Sequence, residues 1–373
     1  MKRHVFPVAA VLAFALGFTG IALAQGHPAQ SHPGSAHSLI PSFAPDPRAW
    51  LKALTRSPHH PAHLHKAKPQ HGAAKPQHKA KPKPAHRHRS KPKQQPRPQH
   101  RLKATTLSIY EQTVKPRFLS AQGCHAARRH ESGIVVLDFG KPAFAHGGYG
   151  TILFSGRFAP NHKITAAMLR YARAYVGCLP KGSTASIELA RGTSNYHPSV
   201  PSAYAAGVHW AHETNKLGRE LHRRWLGAHV EAAAADDAEP AWDPQFRKTR
   251  QFFHGFRAAV HGHTLFDYGS LDGGVGAVWS ARQAWYVAGG LRHTKALPEI
   301  YDSAMAREWA DLARIARGRY HRDVHFAGVM TQGSASCSCG LRPLAAHDAL
   351  AHALGAQGIG HVRLPLGGTN IIG

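Results

Sequence analysis

From residue 105 onward, short apolar runs alternate with segments whose apolar residues recur at helical spacing, and nothing else in the chain limits its fold as tightly. "GIVVLDFG" (133–140) and "GTILFSG" (150–156) read as the first two strands. "HKITAAMLRYARAYVGCL" then places Ile164, Met168, Leu169 and Ala172 on one side of a helix. "ASIELARGTSNY" (185–196) and "AHVEAAAADDAEPAW" (228–242) read as strands three and four, although alanine has little strand preference. "HTLFDYGS", "QAWYVAGG", "ALPEIYD" and "VHFAGVMTQ" supply strands five to eight, with helical patterns between most of them. Strands that alternate with helices imply a parallel sheet joined by right-handed crossovers. Eight such units within residues 104–373 fit an α/β fold of the (β/α)8 TIM-barrel type. An open, doubly wound sheet is the other solution. Its nucleotide-binding version is weakened because no Gly-rich phosphate loop follows the first strand.

What precedes residue 104 is of a different kind. "MKRHVFPVAAVLAFALGFTGIALAQG" has a short basic start, an apolar run and the small residues Ala22 to Ala24, the three-part pattern of a secretory signal over residues 1–24. No later stretch is apolar enough to span a bilayer, so after signal cleavage no transmembrane segment is expected. Residues 25–103 are rich in Pro, Lys and His, and "AKPQH" occurs twice. With little apolar surface to bury, this segment is expected to be a disordered linker. Lys52 to Lys103 holds 15 Lys and Arg and no acid, over half of the net charge of +27. Such density attracts polyanions. For an exported chain these are anionic wall polymers rather than nucleic acid. Nine histidines between His59 and His100 add charge below a pH of about 6.5.

Four cysteines, Cys124, Cys178, Cys337 and Cys339, suit an oxidising compartment and allow three complete pairings. Cys337 and Cys339 are too close in sequence to bond each other readily. At least one long bridge from that pair to Cys124 or Cys178 is therefore expected. No HExxH occurs, and no second Cys or His pair stands at zinc spacing, so neither metal nor cofactor is expected.

In a barrel of this kind the reactive groups stand at the C-terminal ends of the strands. The candidates there are Asp138, Asn195, Asp237, Glu239, Tyr268, Trp285, Glu299, Tyr301 and Gln332, with Trp242 just beyond the fourth strand. Asp237 and Glu239 lie two apart, which on a strand puts them on one face with Cα atoms roughly 6.5 Å apart. Asp236 and Ala238 should point the other way. Two carboxylates in a partly dry site repel, and the raised pKa leaves an acid able to protonate a leaving oxygen. That is what glycoside cleavage requires. Trp242, Tyr268, Trp285 and Tyr301 offer faces on which sugars stack, and Asn195, Glu299 and Gln332 offer polar contacts.

The segments "DFGKPA", "DDAEPAW", "HGFRAAV", "LFDYGS", "AWYVAGG", "LPEIYD" and "FAGVMTQ" resemble an exported actinobacterial family of glycoside-hydrolase-like barrels, from about Gly133 to the C-terminus. More remotely, "VLDFG", "DAEPAW" and "AWYVAGG" are similar to the muramidases of glycoside hydrolase family 25. That resemblance implies Glu239 as general acid. It implies that Asp237 orients the acetamido group or stabilises the cation, and that Asp138 positions both. The chain departs from the muramidases in two ways: "AGG" stands where a further acid is expected near strand six, and their C-terminal segment is missing. The expectation is a secreted, wall-associated barrel that cleaves cell-envelope glycan, with peptidoglycan as the candidate substrate, and a non-catalytic glycan-binding barrel is the second reading.

Overall fold

The computed structural model describes residues 105–197, 199–332 and 340–373. The signal, the basic linker and the Cys337–Cys339 pair lie outside the described residues.

Eight strands form one curled parallel sheet: β1 (Thr106–Tyr110), β2 (Gly133–Asp138), β6 (Ile187–Ser194), β7 (Val230–Asp237), β8 (Leu265–Asp267), β9 (Thr294–Ala296), β10 (Val329–Gln332) and β11 (Gly368–Ile372). The hydrogen-bonded order is β10-β11-β1-β2-β6-β7-β8-β9, so neighbours in the sheet are neighbours in this series. Between β9 and β10 no ladder runs. Two isolated parallel bridges, Ala296 with Phe326 and Glu299 with Met330, join these edges instead. A separate antiparallel sheet of β3 (Lys141–Ala145), β4 (Gly148–Ile152) and β5 (Phe158–Pro160) is inserted after β2.

Among the described residues seven α-helices accompany the sheet: α1 (Pro116–Arg128), α2 (Asn161–Cys178), α3 (Ala203–Arg223), α4 (Arg247–Ala259), α5 (Ala281–Trp285), α6 (Ser303–Tyr320) and α7 (Pro343–Ala356). Their starts follow local chemistry. Pro116 and Pro343 open α1 and α7 where an amide donor is not needed. The Ser202 hydroxyl accepts from the Ala205 amide, and the Asp302 carboxylate from Ala304 and Met305, capping α3 and α6. None of the described helices is long and apolar enough to cross a membrane.

Strand alternation sorts the core into two sides. Val136, Ala190, Ala235, Phe266, Met330 and Ile371 make one cluster on the inner face of the curl. The intervening residues face the helices: Leu137 and Leu189 pack with Leu119, Met168 and Leu217, and Ala234 packs with Trp210 and Phe252. Because the strands are parallel, all their C-terminal ends lie at one pole.

The predicted strand series changes in four places. β1 precedes the first predicted strand and β11 follows the last. "GTILFSG" belongs to the inserted sheet, since β4 pairs with β3 and β5 only. "QAWYVAGG" is helical: Ser280 and Gln283 form a reciprocal capping box that starts α5, and a π-type turn follows over Tyr286–Gly290. "ALPEIYD" therefore continues the sixth strand, not the seventh.

The expected bridge to the "CSC" pair is also corrected. Cys124 of α1 bonds Cys178 of α2, with Cα atoms 5.1 Å apart. The two helices meet closely at the residue before: a Cβ on Gly123 would lie 2.2 Å from the Tyr171 carbonyl oxygen, so only glycine fits.

Candidate active site

At the C-terminal pole, β7 ends in Asp236 and Asp237 and continues in extended backbone to Glu239. Asp237 shares the inward parity of Ala233 and Ala235, and Asp236 shares the helix-facing parity of Ala234. Pro240 follows Glu239, whose φ of −101° and ψ of 134° are the extended values a following proline favours. One carboxylate oxygen from each of Asp237, Glu239 and Glu299 lies within 4.8 Å of the other two. Asp237 and Glu299 are buried, and Glu239 is half-buried.

The predicted residues fall into distinct positions around this trio. Asp138 is buried at the end of β2, and its Oδ1 accepts from the Gly140 amide at 2.8 Å. Asn195 is fully buried and does not face the opening. Its Nδ2 donates to the Glu239 carbonyl at 2.9 Å, and its Oδ1 accepts from the Glu239 amide at 3.1 Å. The same Nδ2 donates to the Thr249 hydroxyl at 3.0 Å, which donates to Asp243. Asn195 thus holds the backbone of the proposed acid rather than a ligand.

Tyr301 donates its hydroxyl to Glu299. Gln332 ends β10 and is half-buried, as is Trp242 in the short 3-10 turn after Glu239. Tyr268 is fully buried and donates to the Thr193 carbonyl at 3.2 Å, so it has no free face for a sugar. The backbones crowd beside it: a Cβ on Gly269 would lie 2.5 Å from the Ala238 carbonyl oxygen. Trp285 is not brought to this pole. It packs on Tyr320 at 5.0 Å between ring centres and lines a cavity at the other end of the sheet, because its segment is a helix.

Electrostatics follow from burial and crowding. Burial, then the Asp272 charge, pushes Glu239 up to about 7, against a hydrogen bond from Ser270. Burial and the Glu239 charge push Glu299 up to about 8, against Tyr301. Asp237 is raised well above the usual carboxylate range by burial and by Glu299, Glu239 and Asp138, and its Oδ1 has no hydrogen-bond partner among the described residues. Burial raises Asp138 to about 6, opposed by the Gly140 amide and the Tyr268 hydroxyl. Carboxylates this close cannot all ionise near neutrality. Of the trio, Glu239 is the least buried. Three such carboxylates are also an oxygen donor set of the kind hard divalent cations take.

Tyr110, Ser270 and Asp272 complete the site and escaped prediction. Burial and the charges of Glu299, Asp237, Asp138 and Glu239 all raise the Tyr110 hydroxyl, which places it in the field of four acids. Asp272 Oδ1 accepts from Ser270 at 2.6 Å, and its Oδ2 accepts from the Ala241 amide at 2.7 Å. The signal for Tyr110 is the alternation in "TLSIYE", a strand pattern just after the basic linker.

A cavity of about 1460 Å³ opens at the opposite pole, lined by Glu188, Glu231 and Lys295 among others. Size does not make it the reactive site. Its charges are of mixed sign, and none of the carboxylates there joins a convergent trio.

No protein-family model and no curated protein matches this chain.

Proposed function

We propose that this protein is an exported glycoside-hydrolase-like enzyme of the (β/α)8 type that cleaves cell-envelope glycan, with Glu239 as the general acid. The observation that carries the reading is the carboxylate trio of Asp237, Glu239 and Glu299 at the C-terminal ends of parallel strands, its oxygens within 4.8 Å of one another. In this reading the β9–β10 bridges complete a barrel at its loosest seam. Asp237, which burial and the neighbouring acids keep protonated, orients the sugar's acetamido group as a hydrogen-bond donor, and Asp138 positions it from behind.

Glu299 supplies the further acid that the muramidase resemblance requires near strand six. β9 is the sixth strand of the parallel series, and Glu299 follows it. Tyr301 donates to Glu299, which favours its ionised form. Acid and partner carboxylates in retaining enzymes stand about 5–5.5 Å apart, and in inverting ones about 6.5–9.5 Å. The basic segment from Lys52 to Lys103 would add salt-sensitive attraction to anionic wall polymers, leaving the protein secreted and wall-associated.

The test is release of new reducing ends from peptidoglycan and chitin-type oligomers, with the first-formed anomer read by proton NMR. Glu239→Gln should lower turnover about 10²–10⁴-fold, the usual worth of general acid catalysis, with the fold intact. A wild-type protein that binds these glycans without cleaving any of them would instead make it a glycan-binding barrel.

A further inference from the structure

Two exposed aromatic rings stand on rigid backbone beside the acids, and the reading above gives neither a role. Phe154 follows β4 in a tight turn and is 44% exposed. The turn is fixed on both sides: the Leu153 amide donates to the Arg157 carbonyl at 2.9 Å, and the Gly156 amide to the Leu153 carbonyl at 2.8 Å. Leu153 itself is buried in the core shared with α1 and α2. The Phe154 ring packs on Tyr110, with centroids 4.7 Å apart. Since Tyr110 lies in the field of Asp138, Asp237, Glu239 and Glu299, Phe154 borders the reactive pole.

Tyr196 is the second ring, 42% exposed between two buried neighbours. Before it, Asn195 is locked onto the Glu239 backbone. After it, the buried His197 ring bonds the Asn195 carbonyl at 2.7 Å, and the His197 carbonyl accepts from Lys248 at 2.7 Å. The Lys141 ammonium sits over the Tyr196 ring, 5.2 Å from its centre. Lys141 pairs in register with Ile152, two residues before Phe154. The inserted β3–β5 sheet, which follows β2 and Asp138 in the chain, therefore carries both Phe154 and the Lys141 that meets the Tyr196 ring.

A large ring left in water at a fixed position costs solvation without adding to the core. Held rigid, it loses little entropy when a ligand stacks on it. A pyranose offers an apolar C–H face to such a ring while its hydroxyl edge meets carboxylates, and this pole presents both chemistries. We propose that Phe154 and Tyr196 are stacking platforms for pyranose rings of a glycan strand, and that the β3–β5 insert forms one wall of its cleft. This rests on the glycan-cleaving reading.

The test uses the full chain carrying Glu239→Gln, so that glycan is bound but not consumed. Affinity for chitin-type oligomers and solubilised peptidoglycan strands is measured by calorimetry. Adding Phe154→Ala or Tyr196→Ala should weaken binding about three- to tenfold each, the usual worth of a ring contact, with an unchanged melting temperature. Phe154→Trp and Tyr196→Trp should keep the affinity and show a change in tryptophan emission on adding glycan. In the otherwise wild-type enzyme the alanine variants should raise KM more than they lower kcat. If the Glu239→Gln parent binds glycan and both alanine variants bind equally well, the platforms are wrong while the glycan reading stands. If the wild type neither binds nor cleaves any of these glycans, the glycan reading fails and the platforms fail with it.

Discussion

Asp236 sits on the helix-facing side of β7, fully buried, and neither of its oxygens has a hydrogen-bond partner among the described residues. Its register neighbour across the ladder is Asp267, also buried. Burial, then the Asp267 charge, raises Asp236 well above the usual range, and burial lifts Asp267 to about 8. The folded state therefore holds these protons more tightly than the unfolded chain, whose aspartates titrate near 3.9. A raised folded pKa gives stability that is complete below about pH 4 and is lost as pH climbs towards 8. Asp236→Asn, an uncharged mimic of the protonated acid, should remove part of that slope. Its urea midpoint should match the wild type at pH 4 and exceed it at pH 8, and its turnover should stay near wild type, because it faces away from Glu239. Equal pH slopes in the two proteins would contradict this. Two-residue alternation in "DDAE" sufficed to separate Asp236 from Asp237 and Glu239. That Asn195 is a backbone clamp was not legible, because its partner lies 44 residues away in sequence.

Among the elements, helical spacing identified α2 and the helical patterns between most of the later strands, since such helices bury one long stripe. The strands were harder. Eight were expected in the parallel sheet and eight occur there among the described residues, but the agreement in number conceals compensating differences. β1 and β11 are five residues each and stand beside polar or glycine-rich sequence. "AWYVAGG" has the β-favouring aromatics of a strand, yet the Ser280–Gln283 cap starts a helix just before it. Misplacing that one segment moved Trp285 to the wrong pole and hid Glu299 as the sixth-strand acid.

The α1–α2 pair was unpredicted as a disulfide partner set because Cys124 and Cys178 are brought together by packing at Gly123, which no spacing rule conveys. Replacing both cysteines by serine should destabilise the protein by up to about 4 kcal/mol in the chain-entropy model for a separation of 54 residues. Urea titration of the oxidised wild type beside the double variant reads this directly. A loss near zero would mean that α1 and α2 stay docked without the bridge.

Across the whole molecule, parallel strands place every carboxylate of the trio at one pole and the mixed-charge cavity at the other. The α/β class and the pole at which the carboxylates gather follow from strand–helix alternation, whereas the surroundings of the exposed Phe154 and Tyr196 rings exist only in the folded chain. β11 lies between β10 and β1, and Thr369 hydrogen-bonds the Thr106 carbonyl across 263 positions of sequence. At about 5–20 residues per second, roughly 13–50 s of synthesis separate those two residues. Until then β1 lacks its outer neighbour and the curl stays open along an unprotected edge. Contacts of such long range also slow the final step of folding. Stalled chains that stop before Gly368 should therefore remain sensitive to protease at β1 and β10, and chains released after Ile372 should become resistant. Closure of the edge between β10 and β1 thus waits on the five residues of β11 rather than on the earlier growth of the helices.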